Sequence, residues 1–223
     1  MEVVVTGAAG ALGRSVLDEF LQGGARVVAL DRPGAALDEV GARPGVHPVA
    51  VDLADQDAVG AAWAEVDAVT TAPDALVALA GGYVPGSLAD LDAAALDGLW
   101  RSNVHSVLWS AREAASRMPD GGAIVTVGSR TAVDGPAPVA HATSKAAVVR
   151  ITELLAEELR PQRVRVNCVL PSVIDTPANR TWMPPDLAAR AVPPSAIAKV
   201  IAFLAGPDAW PISGARIPVY GDA

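Results

Sequence analysis

A strand signal that runs straight into three closely spaced glycines constrains this chain more than any other feature. Val3-Val4-Val5 leads into Thr6-Gly7-Ala8-Ala9-Gly10-Ala11-Leu12-Gly13, and amphipathic helical spacing begins at once. Glycines at 7, 10 and 13 allow a tight turn, close approach of a diphosphate to the backbone, and close packing of the helix on the strand. A glycine pattern alone carries little weight. Strand before and helix after it are the context that gives it meaning, with a purely structural turn as the alternative.

The rest of the chain repeats the same alternation. Short apolar runs at 2–6, 26–31, 47–52, 75–80, 123–128, 163–170 and 215–220 read as strands. Helical spacing occupies 12–23, 56–66, 96–118, 142–159 and 195–204. Several of the strands are near-continuous Val, Ile, Leu and Ala, the pattern of parallel strands buried on both faces. The expectation is an α/β, Rossmann-type doubly wound parallel sheet of about seven strands with helices on both faces. Neither an internal repeat nor a linker breaks it, so 1–223 reads as a single domain. Prolines gather at 171–194, which reads as a long, partly ordered loop.

Composition narrows the function classes. A net charge of −8 without a basic cluster argues against nucleic acid as partner. No apolar run approaches the ~18 residues of a membrane span. Met1-Glu2 enters the first strand without a basic or cleavage-like segment, so no signal peptide is expected and the cytoplasm is the expected location. Cys168, the only cysteine, rules out an internal disulfide and reads as core rather than nucleophile. His47, His105 and His141 lack ligand spacing, so no metal is expected.

Asp31 ends the second strand. A carboxylate there accepts both hydroxyls of an adenosine ribose and repels a 2′-phosphate, favouring NAD; Arg32 beside it can face a phosphate and keeps NADP open. The other reading of Asp31 is a turn residue before Pro33. Asp52-Leu53 lies at the same sheet edge, where Asp52 either meets an adenine amino group or caps the helix starting near Asp55. In His141-Ala142-Thr143-Ser144-Lys145, positions 141 and 145 are one turn apart on one face.

Together the glycine loop, Asp31, Asp52 and the His141–Lys145 helix resemble the short-chain dehydrogenase/reductase family. The resemblance spans nearly the whole chain. It takes in Leu79-Ala80-Gly81-Gly82, Asn103, Gly128-Ser129 and the stretch from Asn167 through Pro171, Ile174 and Thr176 to Pro177. Its nearest flavour is a bacterial subgroup near dihydropteridine reductases. The resemblance implies NAD(P)-dependent interconversion of a carbonyl and an alcohol on a small organic substrate. Ser129 would then polarise the substrate carbonyl, Lys145 hold the nicotinamide ribose, and Asn103 bind a relay water. Pro171, Ile174 and Thr176 would lie over the nicotinamide. Ser129 also reads as a plain strand-end hydroxyl, and Lys145 as a solvated lysine. With fifteen arginines and only two lysines in the chain, a lysine in this slot is less readily incidental.

Departures from the family pattern fall at the chemistry. Ala11 replaces a common glycine, Ala78-Leu79 replaces the usual asparagine, and the Ser129–His141 interval is one residue short. Above all, His141 stands where the family keeps its catalytic tyrosine. Three functions follow: an oxidoreductase with His141 handling the proton, a non-redox cyclase or lyase with His141 as base, or a dinucleotide-binding pseudoenzyme. Tyr83, Trp182, Met183, Arg130, Asn179 and Arg180 are candidate substrate contacts, each with ordinary loop packing as its alternative. Related proteins pair helices such as 96–118 and 142–159 between subunits, which implies a homodimer or homotetramer.

Overall fold

A computed structural model describes residues 1–222. Seven parallel strands form one sheet: β1 (Glu2–Thr6), β2 (Arg26–Asp31), β3 (Val46–Ala50), β4 (Ala75–Ala78), β5 (Gly122–Val127), β6 (Val164–Pro171) and β7 (Arg216–Val219), in the order β3-β2-β1-β4-β5-β6-β7. Chain order reverses between β1 and β4, and their carboxyl ends open the crevice where such sheets bind ligands.

Alternation along each strand splits the core in two. Val3 and Val5 pack with α1 (Ala11–Gln22) and α9 (Pro194–Ala205) on one face. Val4 shares the other face with Trp63 of α3 (Gln56–Asp67), Val107 of α5 (Ser106–Ser116) and Val148 of α6 (Val139–Glu158). Cys168 is fully buried there, as expected of a core residue.

Element types follow the sequence reading, while several boundaries and one continuous helix do not. The helix expected over 96–118 is three pieces: α4 (Ala93–Trp100), a π-helical turn over Arg101–His105, and α5. The turn is wound open around Asn103, whose buried amide makes tertiary hydrogen bonds that straight winding would forgo. A short helix, α2 (Ala35–Gly41), follows Pro33-Gly34, where only a turn was legible. The 171–194 segment is more ordered than a loop. It contains α7 (Pro177–Arg180), α8 (Pro185–Ala188) and a parallel bridge between Ile174 and Val192. β6 starts at Val164 rather than 163, because Arg163 adopts a left-handed backbone at φ 59°. β3 ends at Ala50 and β4 at Ala78, which leaves Asp52 and Ala80 in loops at the crevice.

Candidate functional site

The carboxyl edge of the sheet holds a cleft in two compartments of about 530 and 540 Å³ that share Leu79, Gly81 and Gly82. Into the first the fold brings Gly7, Gly10, Asp31, Asp52, Leu53, Ala80 and Gly81. Leu12, Tyr83, Ser129, His141, Lys145, Pro171, Ile174 and Trp182 line the second.

Backbone geometry shapes the first compartment. Gly7 turns the chain at φ 66°, and a Cβ there would lie 2.8 Å from the Ala80 nitrogen. Gly13 is buried beneath the loop, where a Cβ would meet the Gly7 and Ala8 carbonyl oxygens at 2.3 and 2.6 Å. The first amides of α1 have no partners within their helix, and its N-cap, Gly10, lines this compartment. Asp31 accepts the Ala9 N–H at 2.9 Å and the Arg32 N–H at 2.8 Å, so it also braces the glycine loop. Asp52 accepts from the Ala54 N–H at 3.0 Å; the cap of α3 is Asp55, which accepts from Asp57 and Ala58. The capping alternative for Asp52 is therefore corrected: Asp55, three residues closer to the helix, has the reach.

The second compartment carries the titratable groups. Lys145 is 8% exposed, and its Nζ donates to the Val127 carbonyl at 2.9 Å. Burial pushes its ammonium down to about 8, with the Cys168 sulfur opposing. The reading of Lys145 as an ordinary solvated lysine is thus excluded. One turn earlier, His141 is partly buried, and its Nδ1 is buried without a partner. Burial first and the Lys145 ammonium second push the imidazole down to about 4, with the Gly82 carbonyl opposing. The Tyr83 ring meets the imidazole edge-on, with centroids 4.9 Å apart. Ser129 Oγ accepts from the Thr131 N–H at 3.2 Å and shares a 2.8 Å hydrogen bond with Thr131 Oγ1. Its strand-end hydroxyl therefore caps a turn while facing the cleft.

Three expected contacts lie elsewhere. Asn103 is fully buried beneath the cleft floor. Its Oδ1 accepts from the Gly82 N–H at 2.8 Å, and its Nδ2 donates to Gly82 O and Ser144 Oγ. The amide is spent on tying the Gly81-Gly82 loop to α6, so a relay water bound by that side chain would have to displace one of these bonds. Thr176 caps α7 by accepting from the Asn179 N–H at 3.1 Å, outside the cleft lining. Arg130 lies with its guanidinium over the Tyr220 ring, 5.2 Å from the centroid. Arg180, a further candidate, is paired with Asp175.

Sequence reading gave no role to Ser144, Thr131 or Arg14. Ser144 Oγ links Asn103 to the His141 carbonyl, to which it donates at 2.8 Å. Its one signal was a serine inside a helix directly before the lysine. Among the described residues, no three His, Cys, Asp or Glu side chains gather to hold a metal ion, and no helix is long and apolar enough to cross a membrane.

The imidazole carries a stability consequence. Its folded value near 4 lies below the ordinary ~6.5, so the unfolded chain binds the proton more readily. This group's contribution is complete above pH ~6.5 and declines as pH falls towards 4. His141→Gln removes that share of acid sensitivity, about 1–2 kcal/mol after allowing for partial solvent exposure. Melting temperatures compared at pH 7 and 4.5 should fall by several degrees less in the variant. Equal falls would show that the buried imidazole carries no such penalty.

The sequence profile described as short chain dehydrogenase matches residues 2–186. The cyclic-di-GMP-binding biofilm dispersal mediator protein of Escherichia coli K12 is 33% identical, with 98% of this chain and 95% of that protein covered. Galactitol 2-dehydrogenase (L-tagatose-forming) of Cereibacter sphaeroides is 34% identical, over 97% of this chain and 92% of its own length. Among solved structures, 3-ketoacyl-(acyl-carrier-protein) reductase from Brucella melitensis, complexed with NADH, superposes with a TM-score of 0.92. It is 28% identical, and the match covers 99% of this chain and 96% of that one.

Proposed function

The chain belongs to the short-chain dehydrogenase family, and on that premise we propose that it is an NAD-dependent oxidoreductase. Its substrate class is a small polyol and the corresponding ketose, with His141 in the proton-handling position. One observation carries the reading: the compartment holding His141 and Lys145 joins, through Leu79, Gly81 and Gly82, the compartment bounded by the glycine loop and Asp31. This two-lobed shape fits a dinucleotide, and the close backbone contacts at Gly7 and Gly13 fit a phosphate cradle.

In this reading Asp31 accepts the ribose hydroxyls, and the amides after Gly10 face the diphosphate. Lys145, anchored on Val127, keeps protons free for the second ribose. The nicotinamide, when bound, accepts or supplies the hydride. Ser129 holds the substrate oxygen, its own lone pair already engaged by the Thr131 amide. His141, neutral at physiological pH, lines the compartment and accepts the proton of an alcohol there. The same neutrality leaves little imidazolium to protonate a ketone, so reduction slows as pH rises. Polyol chemistry is taken from the galactitol dehydrogenase relative. The reading includes a homodimer or homotetramer through α4–α5 and α6, where Trp100 and Leu154 stand 38% and 51% exposed.

The test is NAD reduction followed at 340 nm with galactitol and other small polyols. Turnover should be present in the unmodified protein and fall by about 10²-fold or more in His141→Ala. Turnover unchanged in His141→Ala would remove the imidazole from the mechanism. Absence of turnover with NAD bound would favour the second reading, a ligand-binding protein without catalysis. That reading draws on the missing tyrosine and on the relative named for binding cyclic-di-GMP.

A further inference from the structure

Arg14 follows directly on Gly13, and its guanidinium is committed on three sides. Nε donates to the Ala9 carbonyl at 3.1 Å, and Nη2 reaches the Ala36 carbonyl at 3.5 Å. Its outer edge forms a two-pronged pair with Glu39 of α2: Nη2 to Oε2 and Nη1 to Oε1, both at 2.8 Å. Ala9 and Ala36 line the same compartment as Asp31 and Arg32. The peptide group of Ala9 and its neighbours are thus gripped from two sides, the N–H of Ala9 by Asp31 and its carbonyl by Arg14. A guanidinium therefore stands one residue away from the carboxylate assigned to the ribose hydroxyls, and a carboxylate from a separate helix occupies its fork.

A guanidinium offers two such forks, suited equally to a carboxylate and to a phosphate, and in Arg14 the Nε side is taken by Ala9, which leaves one. The two uses exclude each other. With Arg14 held by Glu39, a 2′-phosphate entering beside Asp31 meets that carboxylate and a single uncommitted cation lining the compartment. That cation is Arg32, which is exposed and makes no ion pair among the described residues. Arg32 is present in either case, so it does not decide the outcome. Arg14 decides it, because its availability depends on one side chain.

Resting on the NAD-binding reading above, we propose that Glu39 is a cofactor-selecting residue. By occupying the Arg14 fork it withholds that guanidinium from a 2′-phosphate, and the cleft takes the dinucleotide whose 2′-hydroxyl is free. Glu39 does this from the surface, where it is 68% exposed and does not line the compartment. Exchanging it leaves the core, the glycine loop and the Asp31 bonds in place.

The experiment is calorimetric titration of NADH and NADPH into the unmodified protein, Glu39→Gln, Arg14→Gln and the double variant, with Asp38→Asn as a charge control. Glu39→Gln should tighten NADPH about tenfold, the size of one charge-assisted contact, and change NADH less than about twofold. In the Arg14→Gln background the same exchange should do nothing, and Asp38→Asn should move NADPH less than about twofold. A gain that persists without Arg14, or that Asp38→Asn reproduces, would show a diffuse charge effect and overturn the masking role. No gain in Glu39→Gln while NADH still binds would overturn it as well, leaving the NAD reading intact. Failure of the unmodified protein to bind either nucleotide would instead remove the functional reading, and this proposal with it.

Discussion

His141→Tyr should raise kcat/KM at pH 7 by about 10²-fold or more, and by the same factor for ketone reduction and alcohol oxidation, since both directions cross one barrier. The pH dependence follows from where the imidazole titrates. Held near 4, it is a base across the working range, and its cationic acid form falls tenfold with each pH unit above that value. Reduction by the unmodified protein should therefore decline steadily from pH 5 upward, whereas oxidation should stay level from pH 6 until Lys145 begins to lose its proton near 8. A phenol in the same slot, one turn from the Lys145 ammonium, carries a proton over that whole interval and can donate it. Rates in both directions, measured from pH 5 to 9 for the two proteins, test this. No gain in either direction, or a rise in reduction by the unmodified protein with pH, would mean that His141 is not the group that passes the proton. Tyr83, whose ring touches the imidazole, is the one other phenol lining this compartment. A loss of activity in Tyr83→Phe that matches the loss in His141→Ala would shift the role to it.

Gly13→Ala should damage the protein more than its single methyl suggests. The added Cβ would lie 2.3 Å from one backbone oxygen and 2.6 Å from another, so the glycine loop itself must move. Overpacking of this kind costs about 1–3 kcal/mol, which for a chain of this length lowers the melting temperature by roughly 2–12 °C. Displacing the loop also takes its amides away from the diphosphate. Each lost charge-assisted bond is worth about tenfold or more, so NADH affinity should drop by roughly 10²-fold. Gly60→Ala is the matched control. It lies in the interior of α3 with nothing within 4 Å of an added Cβ, and should be neutral or stabilise by up to about 1 kcal/mol. Equal behaviour of the two variants would contradict the tight loop.

What was legible in the sequence was local. Val3-Val4-Val5, the glycine spacing and Asp31 lie within one strand–loop–helix–strand unit, so their periodicity marks the first compartment directly. His141 and Lys145 share a helix face for the same reason. Features that depend on contacts between distant segments left no such mark. Asn103 opens its helix because Gly82 and Ser144 compete for its amide, which no helical propensity records. The choice between Asp52 and Asp55 as cap went with a two-residue difference in where β3 ends. Pro33-Gly34 concealed α2, and with it the pairing of Glu39 to Arg14, 25 residues apart. Thr176 and Arg130 carried the right spacing, but capping and ring stacking drew them out of the cleft.

The measurement that bears most directly on the central claim is a calorimetric titration of the unmodified protein with NADH at pH 7.5. Saturable binding at one site per chain, with NADPH binding more weakly, is the predicted result. Heat no greater than dilution for either nucleotide would contradict the account, because the glycine loop, Asp31 and Lys145 would then frame a cleft for something else.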